Sequence, residues 1–145
     1  MECTQRLAHN RAEEFVPQQL MQEVLAAIRE TTGNSLKEVH KPLQAALEAR
    51  GWETDVAVAD NLKFTFDALK GGVAVEIEFG LQDTAFKEWA KFQKARKVGK
   101  ATAGVHIVPR NPTDEANCSA EWVHATLTSF SDVFCVPVLI LEVEP

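Results

Sequence analysis

The sequence predicts an α/β (α+β) fold in which a mixed β-sheet is flanked by helices. Three observations carry the prediction. Apolar residues recur at helical spacing through the first third of the chain. Two alternating stretches, residues 62–67 and 73–79, are joined through Lys70, Gly71 and Gly72, the pattern of an antiparallel hairpin. Beyond the hairpin, helical and strand patterns take turns, as in a sheet covered by helices.

Residues 17–30 form the first expected helix, with Leu20, Val24, Leu25 and Ile28 on its apolar face and Gly33 in the turn that closes it. Ser35 is placed to cap a second helix, with Glu38 at the capping-box position. Leu36, Val39, Leu43 and Leu47 carry that helix to Gly51, and Pro42 inside it predicts a kink or a later start. Residues 52–58 read as a strand. In the next strand Leu62, Phe64 and Phe66 share one face, and Lys63, Thr65 and Asp67 the other. Residues 73–79 form the third strand, ended by Gly80. Residues 82–97 make an amphipathic helix with Phe86, Trp89, Ala90 and Gln93 on one side. Residues 103–108 are a buried strand, 109–118 a polar loop, 119–130 a helix and 136–143 a final apolar strand. The expected order is α-α-β-β-β-α-β-α-β, in one domain over residues 1–145 whose first 34 residues are a helical segment.

With 145 residues, 46% apolar and 25% charged, the chain has the make-up of an ordered globular domain. Cys3, Cys118 and Cys135 are odd in number and widely spaced, which excludes a C-x-x-C zinc or redox motif and fits reduced thiols in a cytoplasm. No signal peptide is expected at the N-terminus, and the longest apolar run, residues 136–141, is too short to span a bilayer. His9, His40, His106 and His124 show no zinc spacing, and Walker, G-x-S-x-G and dinucleotide motifs are absent from the sequence. The net charge of -6 argues against a general nucleic-acid binder. Locally the balance reverses: Lys87, Lys91, Lys94, Arg96, Lys97 and Lys100 face the single acid Glu88, which makes residues 87–100 a candidate phosphate footprint.

The most informative stretch is Val73-Ala74-Val75-Glu76-Ile77-Glu78-Phe79. Period-two alternation sets Glu76 and Glu78 on one face, roughly 7 Å apart along the strand. Crowded carboxylates repel one another and lose hydration, so the arrangement calls for a reason unless that face is wet. Asp67, across the hairpin, can approach Glu76. Three converging acids form a hard-oxygen site suited to Mg²⁺ or Mn²⁺, and magnesium bound by few carboxylates is typical of phosphodiester chemistry. The alternative is a solvated sheet face neutralised by Lys63 and Lys70.

The segment from Phe66 to Gly80, with Asp67, Glu76 and Glu78, resembles the active-site hairpin of the BglII/BamHI-like restriction endonucleases, a branch of the PD-(D/E)XK nuclease superfamily. In that branch an Asp, a Glu and, two residues on, a Glu or Gln replace the usual D…(D/E)-x-K pattern, and the superfamily Lys is absent. Residues 85–93, 104–109 and 136–145 are similar to the family's following helix, next core strand and C-terminal strand. The resemblance implies a restriction-endonuclease-like core of αβββαβ order over residues 35–145, and a Mg²⁺-dependent DNA endonuclease, with a silent binding module on the same fold as the alternative.

It further implies that Asp67, Glu76 and Glu78 are catalytic. The metal would be held by Asp67, Glu76 and the backbone carbonyl of Ile77, with Glu48, or alternatively Glu38, as a further acid from the second helix. Lys87, Lys91 and Lys94 stand at i, i+4 and i+7 and form one stripe, either a phosphate contact or a solvated face. Arg110 begins a loop able to reach a DNA groove. DNA is the expected partner, a homodimer the expected assembly, and a cognate methyltransferase a possible companion in the same system.

Overall fold

Gly71 and Gly72 both adopt positive φ (55° and 77°), the conformation a two-residue hairpin turn requires. They join β3 (Thr65–Lys70) to β4 (Val73–Ile77), with Lys70 opposite Val73. The remaining elements of the computed structural model, which describes residues 1–111 and 117–144, are built around this hairpin. In chain order they are β1 (Glu2–His9), a 3₁₀ turn (Ala12–Glu14), α1 (Gln18–Glu30), α2 (Leu36–Glu48) and β2 (Glu53–Ala57), followed by β3 and β4. After the hairpin come α3 (Gln82–Lys97), β5 (Ala103–Pro109), α4 (Ala120–Ser129) and β6 (Val138–Glu144).

Among the described residues the sheet has six strands in the order β1-β6-β5-β4-β3-β2. The central strands β4, β5 and β6 are parallel, while β1, β3 and β2 pair antiparallel with their neighbours. Alternation along the parallel strands divides the core in two. Val73, Val75 and Ile77 join Val105, Ile107, Leu139 and Leu141 under α1 and α2. Ala74, Val138 and Ile140 pack on the other face under Trp89 and Phe92 of α3 and Val123 and Leu127 of α4. Gly104 lets α3 approach the sheet closely, since a Cβ there would lie 2.7 Å from the Phe92 ring.

The helix expected over residues 82–97 coincides with α3, and α2 runs unbroken through Pro42. Three expectations are corrected. The N-terminal segment is not wholly helical: Glu2–His9 form an edge strand antiparallel to β6. The strand before the glycine turn covers Thr65–Lys70 rather than residues 62–67. The buried face of α3 is Ala85, Glu88, Trp89, Lys91, Phe92 and Ala95, whereas Ala90 is exposed.

Candidate active site

The parallel strands β4, β5 and β6 end side by side, and a cleft of about 880 Å³ opens at their C-terminal ends against the first turns of α2. Ile77, Glu78, Pro109, Arg110 and Val143 line it from the sheet, and Lys37, His40 and Lys41 from α2. Open α/β sheets bind ligands in just such crevices beyond the carboxyl ends of their strands.

Asp67 stands on β3 where the hairpin partners diverge. The β3–β4 ladder stops at Ala68 and Val75, and the Asp67 carboxylate itself accepts the Ile77 N–H at 2.7 Å. This substitution shifts the alternation of β3: Ala68 packs beneath α1 and α2, but Phe66 packs against Phe92 on the opposite face. Gln44 of α2 fastens the same corner by donating to the Asp67 backbone carbonyl at 3.0 Å, and His40 Nε2 lies 3.5 Å from Asp67 Oδ1. Burial pushes the Asp67 carboxyl upward. The His40 ring and the Ile77 N–H outweigh it and hold the group below the usual carboxylate range.

Glu76 is turned toward α3 and is only 4% exposed. Its Oε1 lies 2.6 Å from the Lys91 ammonium, which also touches Glu88 Oε2 and donates to the Thr65 carbonyl at 2.9 Å. Glu76 Oε1 and Glu88 Oε2 are sealed from solvent and neither accepts an aligned hydrogen bond, so the ammonium meets them as a charge. Burial, then the Glu88 carboxylate, raises the Glu76 pKa strongly against the pull of Lys91. Burial would lower the Lys91 pKa, but Glu76 and Glu88 reverse that and raise it. Next along the chain, Glu78 turns its Oε1 back to accept the Gly80 N–H at 2.6 Å, and burial raises its pKa as well. The charge of Lys91 draws Asp67, Glu76 and Glu78 alike toward ionisation.

Of the three predicted acids only Glu76 touches the buried ammonium; Asp67 is held by the Ile77 N–H and His40, and Glu78 by the Gly80 N–H. Among the described residues, no three His, Cys, Asp or Glu side chains gather closely enough to form a ready metal site. The donor chemistry nonetheless fits a hard divalent cation, because buried carboxylate oxygens without aligned hydrogen bonds are the groups such an ion satisfies.

The other predicted residues divide. Lys91 leaves the exposed stripe, being 7% exposed and bound between two carboxylates. Lys87 and Lys94 remain exposed, with Lys87 3.2 Å from Glu88. Glu48 is exposed at the last turn of α2, eight residues or about 12 Å along the helix from His40. Glu38 accepts the Asn34 N–H at 3.1 Å and serves the helix start. Arg110 lines the cleft while its guanidinium pairs with Glu144 at 2.8 Å. The loop expected after it falls mostly on residues 112–116, outside the described residues.

The sequence reading missed His40, Gln44 and the role of Glu88. Glu88 had a legible signal: Ala85, Glu88, Phe92 and Ala95 share the 3-4-3 spacing of a buried face.

The family model described as restriction endonuclease BglII/BglIII matches residues 5–142. The crystal structure of restriction endonuclease BglII complexed with a DNA 16-mer is similar at TM-score 0.80 and 15% identity, over 95% of this chain and 74% of that one. The crystal structure of free BglII is similar at TM-score 0.68 and 16% identity, over 97% and 79%. No curated protein sequence matches.

Proposed function

Because the chain belongs to the BglII/BglIII restriction endonuclease family, we propose that it is a type II restriction endonuclease-like DNA nuclease whose activity depends on Mg²⁺, with Mn²⁺ able to substitute. The observation that carries the reading is the hairpin itself: it sets Asp67 on the Ile77 N–H, Glu76 against the buried Lys91 ammonium and Glu78 in the wall of a cleft lined by Lys37, His40, Lys41 and Arg110. The DNA held by one of the similar BglII structures supports DNA as the partner.

Restriction endonucleases generally use a divalent metal. Here Asp67, Glu76 and the Ile77 carbonyl are the proposed ligands. The bound ion would supply Lewis acidity at the phosphoryl oxygen and a more acidic water. The chain's own residues set the frame. Asp67 stays ionised because the Ile77 N–H and His40 hold it so. Gln44 fixes the backbone of Asp67. Glu78, which lines the cleft, would orient or deprotonate a water. Lys87, Lys94 and Arg110 are proposed phosphate contacts, which position DNA without reading its sequence.

Asp67→Ala and Glu76→Ala should each abolish Mg²⁺-dependent nicking of supercoiled plasmid while leaving the far-UV circular dichroism spectrum unchanged. Cleavage that survives either substitution removes that residue from the site. The pairing of Glu76 with an ammonium favours a second reading, a silent DNA-binding module, which predicts DNA binding without cleavage under any metal. Work on two strands further implies a two-fold homodimer, measurable by light scattering. A companion methyltransferase belongs to the same reading.

A further inference from the structure

Lys91 and Glu88 stand one turn apart on α3, and both side chains are about nine-tenths buried or more. A cation buried this deeply must be compensated: the Glu88 carboxylate supplies the charge and Glu76 a second oxygen contact. Glu76 gives it up if it turns to any other cation. Glu88 does not, because it holds the ammonium from within the same helix. The Thr65 carbonyl, 2.9 Å away, anchors the ammonium as well. The remaining charges facing this cluster are Asp67 and Glu78 from the hairpin and Lys87 from α3. His106, fully buried on β5, accepts a hydrogen bond from Trp89 at 3.2 Å.

We propose that Lys91 is a resident cation that competes with a divalent ion for Glu76, and that Glu88 is the positioning residue that retains the ammonium when Glu76 is given to the ion. This rests on Glu76 being a metal ligand. The buried oxygens Glu76 Oε1 and Glu88 Oε2, facing each other across the ammonium without aligned hydrogen bonds, are the observation that carries it. Lys91 thus belongs with the proposed ligand Glu76 rather than with the DNA-facing surface, and Glu88 is the carboxylate that shares it.

The two residues should move metal affinity in opposite directions. Lys91→Met removes the competitor, and Glu88→Gln leaves the ammonium with Glu76 as its sole carboxylate. Ca²⁺ binding to the purified full chain, measured by calorimetry and by thermal shift without DNA, reads this separately from cleavage. Relative to wild type, Lys91→Met should bind Ca²⁺ at least about tenfold more tightly, since a unit charge in contact with a ligand carboxylate has been removed. Glu88→Gln should bind it about tenfold more weakly or worse. Should Lys91→Met fail to fold, Glu88→Gln decides alone, because it retains the Lys91–Glu76 pair. Equal affinity in Glu88→Gln and wild type overturns the proposal, as does unchanged or weaker binding in a folded Lys91→Met. Glu76→Gln separates the two levels: if wild type binds Ca²⁺ and Glu76→Gln binds it equally well, the assignment of Glu76 as a ligand fails first.

Discussion

Glu76→Gln should stabilise the metal-free protein, and the gain should grow with pH. The structure supplies the reason. Two buried carboxylates, Glu76 and Glu88, share one ammonium, so ionising both leaves an uncompensated negative charge in the core. The Glu76 pKa is accordingly raised, by burial first and Glu88 second, and the folded protein keeps a proton that the unfolded chain releases above 4.5. A raised carboxyl contributes stability in full below the unfolded value and loses it as pH rises toward the folded one. Retaining the proton at about pH 7.5 costs about 4 kcal/mol, from roughly 1.4 kcal/mol per pH unit over about three units. Gln carries no such cost. Its amide can donate to Glu88 and its carbonyl can accept from Lys91, the same pattern as a protonated Glu76.

Allowing half of the gain to be lost to imperfect geometry, about 2 kcal/mol remains, or about 4–8 °C in Tm for a chain of this size. The assay is thermal melting of both proteins in EDTA from about pH 4.5 to about pH 8, where the linkage operates. The curves should nearly coincide at the acid end and separate steadily toward neutrality. A variant that melts below wild type at neutral pH, or a difference that does not change with pH, refutes the reasoning. The same substitution should eliminate cleavage if Glu76 is a ligand, a gain in stability at the expense of function.

Two more predictions follow. His106 is fully buried, its pKa lowered by burial to about 4 from 6.5. A depressed base is neutral in the fold but takes up a proton when unfolded, so its stabilising contribution, present above 6.5, is lost as pH falls toward 4, by about 3 kcal/mol in total. Glu76 acts in the opposite sense over part of that window, so the loss should be measured by urea melts of Glu76→Gln with and without His106→Asn. An acid slope that persists undiminished in the double variant excludes His106. On the surface, Lys87→Gln and Lys94→Gln should each lower the salt dependence of DNA binding by about one unit of log–log slope, the release expected from one phosphate contact. An unchanged slope in titrations across salt concentrations assigns both lysines to a solvated face.

The parts of the molecule that were legible in the sequence are those where local pattern and tertiary position agree. The Gly71-Gly72 turn demands positive φ, and Val73, Val75 and Ile77 alternate, so the hairpin could be placed directly. The helix over 82–97 was legible in its bounds but not in its face, because Glu88 and Lys91 occupy buried positions that composition assigns to solvent. Each is tolerable there only with the other and with Glu76, a condition set by tertiary contact. β1 was hidden for the opposite reason: as an edge strand with one neighbour it carries Glu2, Thr4, Gln5 and Arg6 and shows no apolar run. The shift of β3 at Asp67 arises from a side chain replacing a backbone acceptor, an event without periodicity. His40 enters the site only because α2 packs against the ends of the parallel strands.

A net charge of -6 seemed to oppose DNA as a partner, but a partner responds to the local field rather than the sum. Glu76 and Glu88 are buried against Lys91, so the acids closest to the proposed chemistry are partly neutralised before any ligand arrives. Asp67 is half-buried beside His40, and Glu78 is folded onto the Gly80 N–H. What the cleft offers a phosphate includes Lys37, His40, Lys41 and Arg110. A carboxylate site open to solvent would repel the polyanion it must approach. One closed by its own lysine admits the polyanion, and becomes fully anionic only where a divalent cation can compensate it. On this reading, the buried charge cluster that costs the metal-free fold stability is also what lets an acidic protein come close to DNA.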